Sequence, residues 1–174
     1  MLKDCPDRLA FGSPSGGVTQ SADGMYVILS LGKQYCAISA ENVEEVLTQE
    51  PFTRFPLAGK SVAGAMFFRG ACVTVYDLGW ILARCPVKPS RSSRIIVLRE
   101  PNRASLLVER ILTLISGAGE PIDSPDLSLG RYVNGQIRWL DRLVKIIDVH
   151  GLLRLEADRA EALMRKAPGE APRL

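Results

Sequence analysis

The sequence predicts an all-β chain built from two similar small barrels, and three observations carry that reading. Short apolar runs alternate with turn signals at intervals of about 8–12 residues, the spacing of a barrel or sandwich rather than of a helical bundle. One run, Ala71 to Tyr76, alternates strictly. Ala71, Val73 and Val75 share one face and Cys72, Thr74 and Tyr76 the other, as in a strand between two different environments. Finally, Val73-Thr74-Val75-Tyr76-Asp77-Leu78 returns as Val144-Lys145-Ile146-Ile147-Asp148-Val149, each time strand, Asp, then short helix.

Residues 1–23, rich in Gly, Ser, Pro and Asp, read as a flexible lead-in. Met25 to Leu31 is a buried-strand run, Gly32-Lys33-Gln34 a turn, and Tyr35 to Ile38 the returning strand. Ser39 is placed to cap a short helix from Ala40 to about Glu45, with a strand starting near Val46. Pro51 and Pro56 bracket a loop holding Phe52 and Phe55. An apolar approach, Met66 to Phe68, then meets Arg69-Gly70, where glycine takes positive φ freely, and the chain returns as the alternating strand. Asp77 follows at once and is placed to cap a helix over Leu78–Ala83.

Pro86 to Ser93 reads as the joint between two halves. Beyond it come strands at Arg94–Arg99, Ala104–Val108 and Ile111–Ile115, with Pro101-Asn102 turning between the first two. Gly117 to Asp126 is a loop, and Asn134-Gly135, inside Tyr132–Ile137, carries the strongest short hairpin signal. Val144–Asp148 is the last strand, and Val149–Leu153 opens a terminal helix, weakly supported by Glu161 and Arg165 at i,i+4 and ended by Pro168, Gly169 and Pro172. The expected organisation is a lead-in over 1–23, one domain over 24–155 with barrels at about 24–85 and about 92–150, and a helix with a tail over 156–174.

Composition narrows the function. The 22 basic and 19 acidic residues leave a net charge of +3, too balanced to argue for nucleic acid by charge. The four cysteines, Cys5, Cys36, Cys72 and Cys85, stand apart without a C-x-x-C pair, and His150 is the only histidine, so zinc sites of the common spacings are excluded. Cys36 and Cys72 read as small buried hydrophobes inside strands, in keeping with a reducing cytoplasm. No apolar run reaches a membrane span, and the N-terminus lacks a secretory h-region. Gly59-Lys60-Ser61 imitates the end of a phosphate loop, but Arg54 stands where the first glycine is required. Asp77 and Asp148 read as helix caps, without the tuned partner that acid–base chemistry needs. A small-barrel nucleic-acid module and a thiol enzyme using Cys72 or Cys36 are the competing readings.

The residue most clearly displayed is Arg69, a charge at the tip of a hairpin, flanked by Phe67 and Phe68 on opposite strand faces. Around it the sequence resembles the CheW-like domain family of chemotaxis coupling proteins. Val43-Glu44-Glu45-Val46, Val62-x-Gly64, Arg69-Gly70, Val75-x-Asp77-Leu78 and Ile147-Asp148 before Leu152-Leu153 follow the family's order, from about Met25 to Leu153. Thr74 stands where the family often has Pro, and Val108-Glu109 where it has Val-Asp. The resemblance implies two five-stranded SH3-like barrels, no catalysis and no cofactor. It also implies two partners, the regulatory domain of a CheA-type histidine kinase and the cytoplasmic tip of a chemoreceptor. The charge balance and hydropathy above add no nucleic acid and no membrane insertion, and exposed sheet edges leave room for self-association. By position the resemblance implies partner-binding roles for Arg69, Glu45, Val43 and Gly64, with Glu45 and Arg69 able to pair; Gly70 in the turn and Phe68 beside Arg69 complete the candidate partner-binding residues.

Overall fold

The structure, a computed structural model, describes residues 24–48, 52–54, 60–99, 104–120 and 132–166, with side chains of the last segment to residue 159. The expected lead-in, Pro51, Phe55, Pro56 and Gly59, the Pro101-Asn102 turn, the later part of the 117–126 loop, the Glu161–Arg165 pair and the tail after residue 166 lie outside the described residues.

The strands are β1 (Gly24–Leu31), β2 (Gln34–Ser39), β3 (Val43–Thr48), β4 (Val62–Phe68), β5 (Ala71–Asp77), β6 (Arg94–Leu98), β7 (Ala104–Val108), β8 (Arg110–Gly117), β9 (Val133–Trp139) and β10 (Arg142–Ile147). Helix α1 (Leu78–Ala83) follows β5 and α2 (Val149–Lys166) follows β10. The strands form two five-stranded sheets, ordered β8-β1-β2-β10-β9 and β3-β6-β7-β5-β4, hereafter the first and second sheets. The all-β, two-part architecture expected from the sequence is therefore present.

The division of the chain is not the expected one. Residues 24–85 and 92–150 do form a repeat, β1–β5 followed by α1 and β6–β10 followed by α2, but neither repeat builds its own sheet. The first sheet takes β1 and β2 from one repeat and β8, β9 and β10 from the other, and the second sheet is the reciprocal. The pairings match throughout. β1–β2 and β6–β7 are antiparallel hairpins, β2–β10 and β7–β5 are parallel, and β8 and β3 lie antiparallel outside β1 and β6. The exchange follows from burial. β1 runs as Tyr26, Val27, Ile28 and Leu29 without a polar break, and β6 as Ile95 to Leu98; all are buried. Continuous apolar strands need cover on both faces. Tyr26 and Ile28 line the small core of the first sheet with Ala37, Ile137, Val144 and Ile146. Val27 and Leu29 join the large core shared with the second sheet, α1 and α2.

Three local expectations are corrected. The helix placed over Ala40 to Glu45 is a single 3-10 turn, Ala40–Asn42, capped by Ser39 Oγ, and β3 begins at Val43, so Glu45 lies in a strand. Asn134-Gly135 is not a turn but the interior of β9, where the register shifts between Ile146 and Ile147 and leaves Asn134 as a bulge. The local Asn-Gly preference yields to the segment crossing at the Glu120–Gln136 bridge. Cys72 is exposed on the outer face of β5, while Cys36 is buried as expected.

Candidate partner surface at the beta4–beta5 hairpin

β4 and β5 meet in a two-residue turn closed by the Phe68–Ala71 pair. Arg69 has φ 47° and Gly70 φ 80°. Positive φ at both central positions matches the right-handed twist of a hairpin, and Gly70 meets that demand without a Cβ cost. Arg69 does carry a Cβ there, at a cost of about 1 kcal/mol, and the side chain has contacts that offset it. Its Nη1 donates to Glu44 Oε1 at 2.8 Å and its Nη2 to Glu45 Oε2 at 2.7 Å. Its guanidinium also lies 5.0 Å from the centroid of the Phe68 ring.

Adjacent residues of a regular strand point to opposite faces, so two neighbouring carboxylates would not normally meet one arginine. β3 allows it through a bulge. Val43 pairs with Leu98 and Glu45 with Val97, leaving Glu44 without an opposite residue. β3 and β4 are the two edges of the second sheet. The guanidinium therefore clasps one edge to the tip of the hairpin that carries the other. It places two carboxylates on one cation, and the clasp carries a net charge of −1.

The residues picked from the sequence fall into different roles. Arg69, Glu45 and Gly70 come together at the tip. Glu44, absent from that selection, joins them, because the bulge that turns it toward Arg69 has no signal in single-sequence periodicity. Val43 lies half-buried at the start of β3. Phe68 is partly buried against the core, and Phe67 is the outward ring, 84% exposed, with Cys72 opposite it across the hairpin. Gly64 is not displayed at all. A Cβ there would stand 2.1 Å from the Thr53 carbonyl oxygen and 2.8 Å from the Phe52 ring. Thr53 exchanges backbone hydrogen bonds with Ala65, at 2.8 and 2.9 Å, and covers this edge of β4. Gly64 is required by that close approach, and any side chain there strikes main chain.

Among the described residues the alternative chemistries find no constellation. The buried Asp77 carboxylate accepts from Trp80 N at 2.8 Å and from Val87 N at 3.0 Å, capping α1 and anchoring the chain beyond it. Burial pushes its pKa up against those hydrogen bonds, which pull it down. Asp148 caps α2 through Gly151 N at 3.0 Å. His150 Nε2 lies 3.0 Å from Asn42 Oδ1. Burial raises the Cys36 thiol to about 12, the opposite of an activated nucleophile. Among the described residues no group of three or more His, Cys, Asp or Glu could hold a metal ion, and no helix is long and apolar enough to cross a membrane.

Comparison with known proteins agrees with the architecture. The model of the CheW-like domain matches residues 25–157. The crystal structure of scaffolding protein TtCheW from Thermoanaerobacter tengcongensis superposes with a TM-score of 0.68 at 24% identity, covering 75% of this chain and 92% of that one. At that identity the likeness is one of fold. No curated protein matches the chain in sequence.

Proposed function

The chain belongs to the CheW-like domain family, and from that premise we propose that it is a non-enzymatic adaptor of the cytoplasm, coupling a chemoreceptor's tip to the regulatory domain of a CheA-type histidine kinase in a chemotaxis-like pathway. The observation that supports this reading best is the tip of the β4–β5 hairpin. There a rigid turn presents an arginine, two carboxylates and the exposed ring of Phe67 together. An aromatic ring beside an arginine is the composition of an interface hot spot.

Arg69, Glu45, Glu44, Gly70 and Phe67 are the contact residues in this reading. Val43 and Phe68 support them from beneath, and Gly64 contributes by shaping the edge strand. Calorimetric titration of the full chain with the regulatory domain of a CheA-type kinase from the same cell tests it, with Arg69→Ala and Phe67→Ala alongside. Micromolar binding by the wild type, weakened at least tenfold in both folded variants, is the expected result. Full-strength binding by both variants would move the kinase site elsewhere on the molecule. No binding by any form would remove the kinase from the proposal.

A further inference from the structure

The 3-10 turn Ala40–Asn42 carries the chain out of the first sheet and into the second, ending one residue before β3 begins and two before the bulge at Glu44. Three consecutive carbonyls of this crossover are held by one residue, Arg99, just after β6. Its backbone N–H donates to Asn42 O at 2.9 Å. Its guanidinium donates through Nε to Glu41 O at 3.0 Å and through Nη2 to Val43 O at 3.0 Å. The side chain is exposed, so burial does not account for its placement. The opposite crossover, at Glu109 between β7 and β8, is tied differently, by its own carboxylate accepting from Gly32 N in the β1–β2 turn.

We propose that Arg99 is a positioning residue for the clasp: by fixing the carbonyls of residues 41–43 it sets the register at which β3 enters the second sheet, and so turns both Glu44 and Glu45 toward Arg69. A slip of one residue that absorbed the bulge in β3 would return Glu44 and Glu45 to opposite faces of the strand and separate the two carboxylates. The fork of a guanidinium spans the Glu41 and Val43 carbonyls at once, which a lysine ammonium, a single point of donation, does not. The inference rests on the adaptor reading only for its consequence in binding.

The test reads the clasp without any partner. In the 15N-labelled full chain, the Arg69 side-chain N–H signals, assigned by their loss in Arg69→Lys, are expected to be protected from solvent exchange. Arg99→Ala is expected to abolish that protection while leaving the backbone amides of β4 and β5 in place. Arg99→Lys retains part of it, and serves if the alanine variant does not fold. Glu109→Gln, which loosens the other crossover, leaves it intact. Unprotected Arg69 signals in the wild type, unchanged protection in folded Arg99→Ala, or equal loss in Glu109→Gln would each overturn the proposal. In titration with the kinase regulatory domain, Arg99→Ala lowers affinity about tenfold, and adding Arg69→Ala lowers it no further, the non-additivity of residues acting as one unit. Loss of the protected signals with affinity unchanged upholds Arg99's role and overturns the placement of the kinase site at the clasp.

Discussion

The β4–β5 and β9–β10 hairpins hold equivalent places in the two sheets and have been put to different uses. Both begin with Val-x-Gly, Val62-Ala63-Gly64 and Val133-Asn134-Gly135, and both bulge at the middle residue. Both take a bridge from a passing segment on the residue after the glycine, Thr53 to Ala65 and Glu120 to Gln136. Both end in an aspartate whose N–H donates to the residue before the hairpin, Asp77 to Ser61 O at 2.8 Å and Asp148 to Tyr132 O at 2.7 Å. The tips differ. Where one turn presents Arg69 at φ 47°, the other presents Leu140 at φ 52°, 72% exposed. The bulged edge that offers Glu44 and Glu45 to Arg69 offers Leu112 and Thr113 in β8. What the repeat shares is what a five-stranded sheet of this strand order requires; what it does not share is the displayed charge. Function is read most safely from such departures.

The two hairpins differ most in stability at their glycines. A methyl group at Gly64 meets main chain at 2.1 Å, while at Gly135 its nearest neighbour, Glu120 O, is at 3.2 Å. Gly64→Ala is therefore expected to cost about 3 kcal/mol and Gly135→Ala about 1 kcal/mol in urea unfolding. Equal costs would mean that the two crossing segments approach their glycines equally closely in solution.

The caps come next. Asp77→Ala removes a buried acceptor serving Trp80 and Val87 and is expected to cost about 2–3 kcal/mol, against about 1 kcal/mol for Asp148→Ala, which frees one N–H. Asp77 also has a pH signature. Its folded pKa is raised above 3.8 by burial, so the folded state holds this proton more tightly than the unfolded chain. The stability this adds is present in full below the unfolded value and is lost as pH rises through the folded one. Unfolding midpoints of wild type and Asp77→Asn, followed upward through the acid range, should show the wild type losing ground to the variant.

The tips carry the smallest stability effects. Arg69→Ala breaks an exposed ion-pair cluster and should cost under about 1 kcal/mol, however large its effect on binding. Leu140→Gly relieves a left-handed leucine and should raise stability by about 0.5 kcal/mol. Thermal melts of the two variants with wild type separate these signs. A thiol reagent at neutral pH sharpens the contrast between the sheets, labelling exposed Cys72 in β5 and sparing Cys36 in β2, as peptide mass mapping would show.

Much of this was legible in the residues. The cap after a strand was visible at Asp77 and Asp148 because its geometry is local, and the Arg69-Gly70 turn for the same reason. Phe67 and Phe68 were known to face opposite ways, but which faced out depended on the curl of the sheet. Asn134-Gly135 misled because a dipeptide preference says nothing of a segment crossing from Glu120. Glu44 and Arg99 went unread because their partners lie 25 to 58 residues away, across a bulge and a crossover. The exchange of strands between repeats was hidden too, since equal repeats specify which strand shapes recur but not which copy each one joins.

That exchange bears on how the chain is made. Every strand of the second sheet has been synthesised by Val108, whereas the first cannot be completed before Ile147. A nascent chain leaving the ribosome therefore carries the β1–β2 hairpin, apolar on both faces, well before β8, β9 and β10 exist to cover one of them. The earliest residues of the domain are among the last to find shelter, and in that interval the emerging chain is open to chaperones and to aggregation.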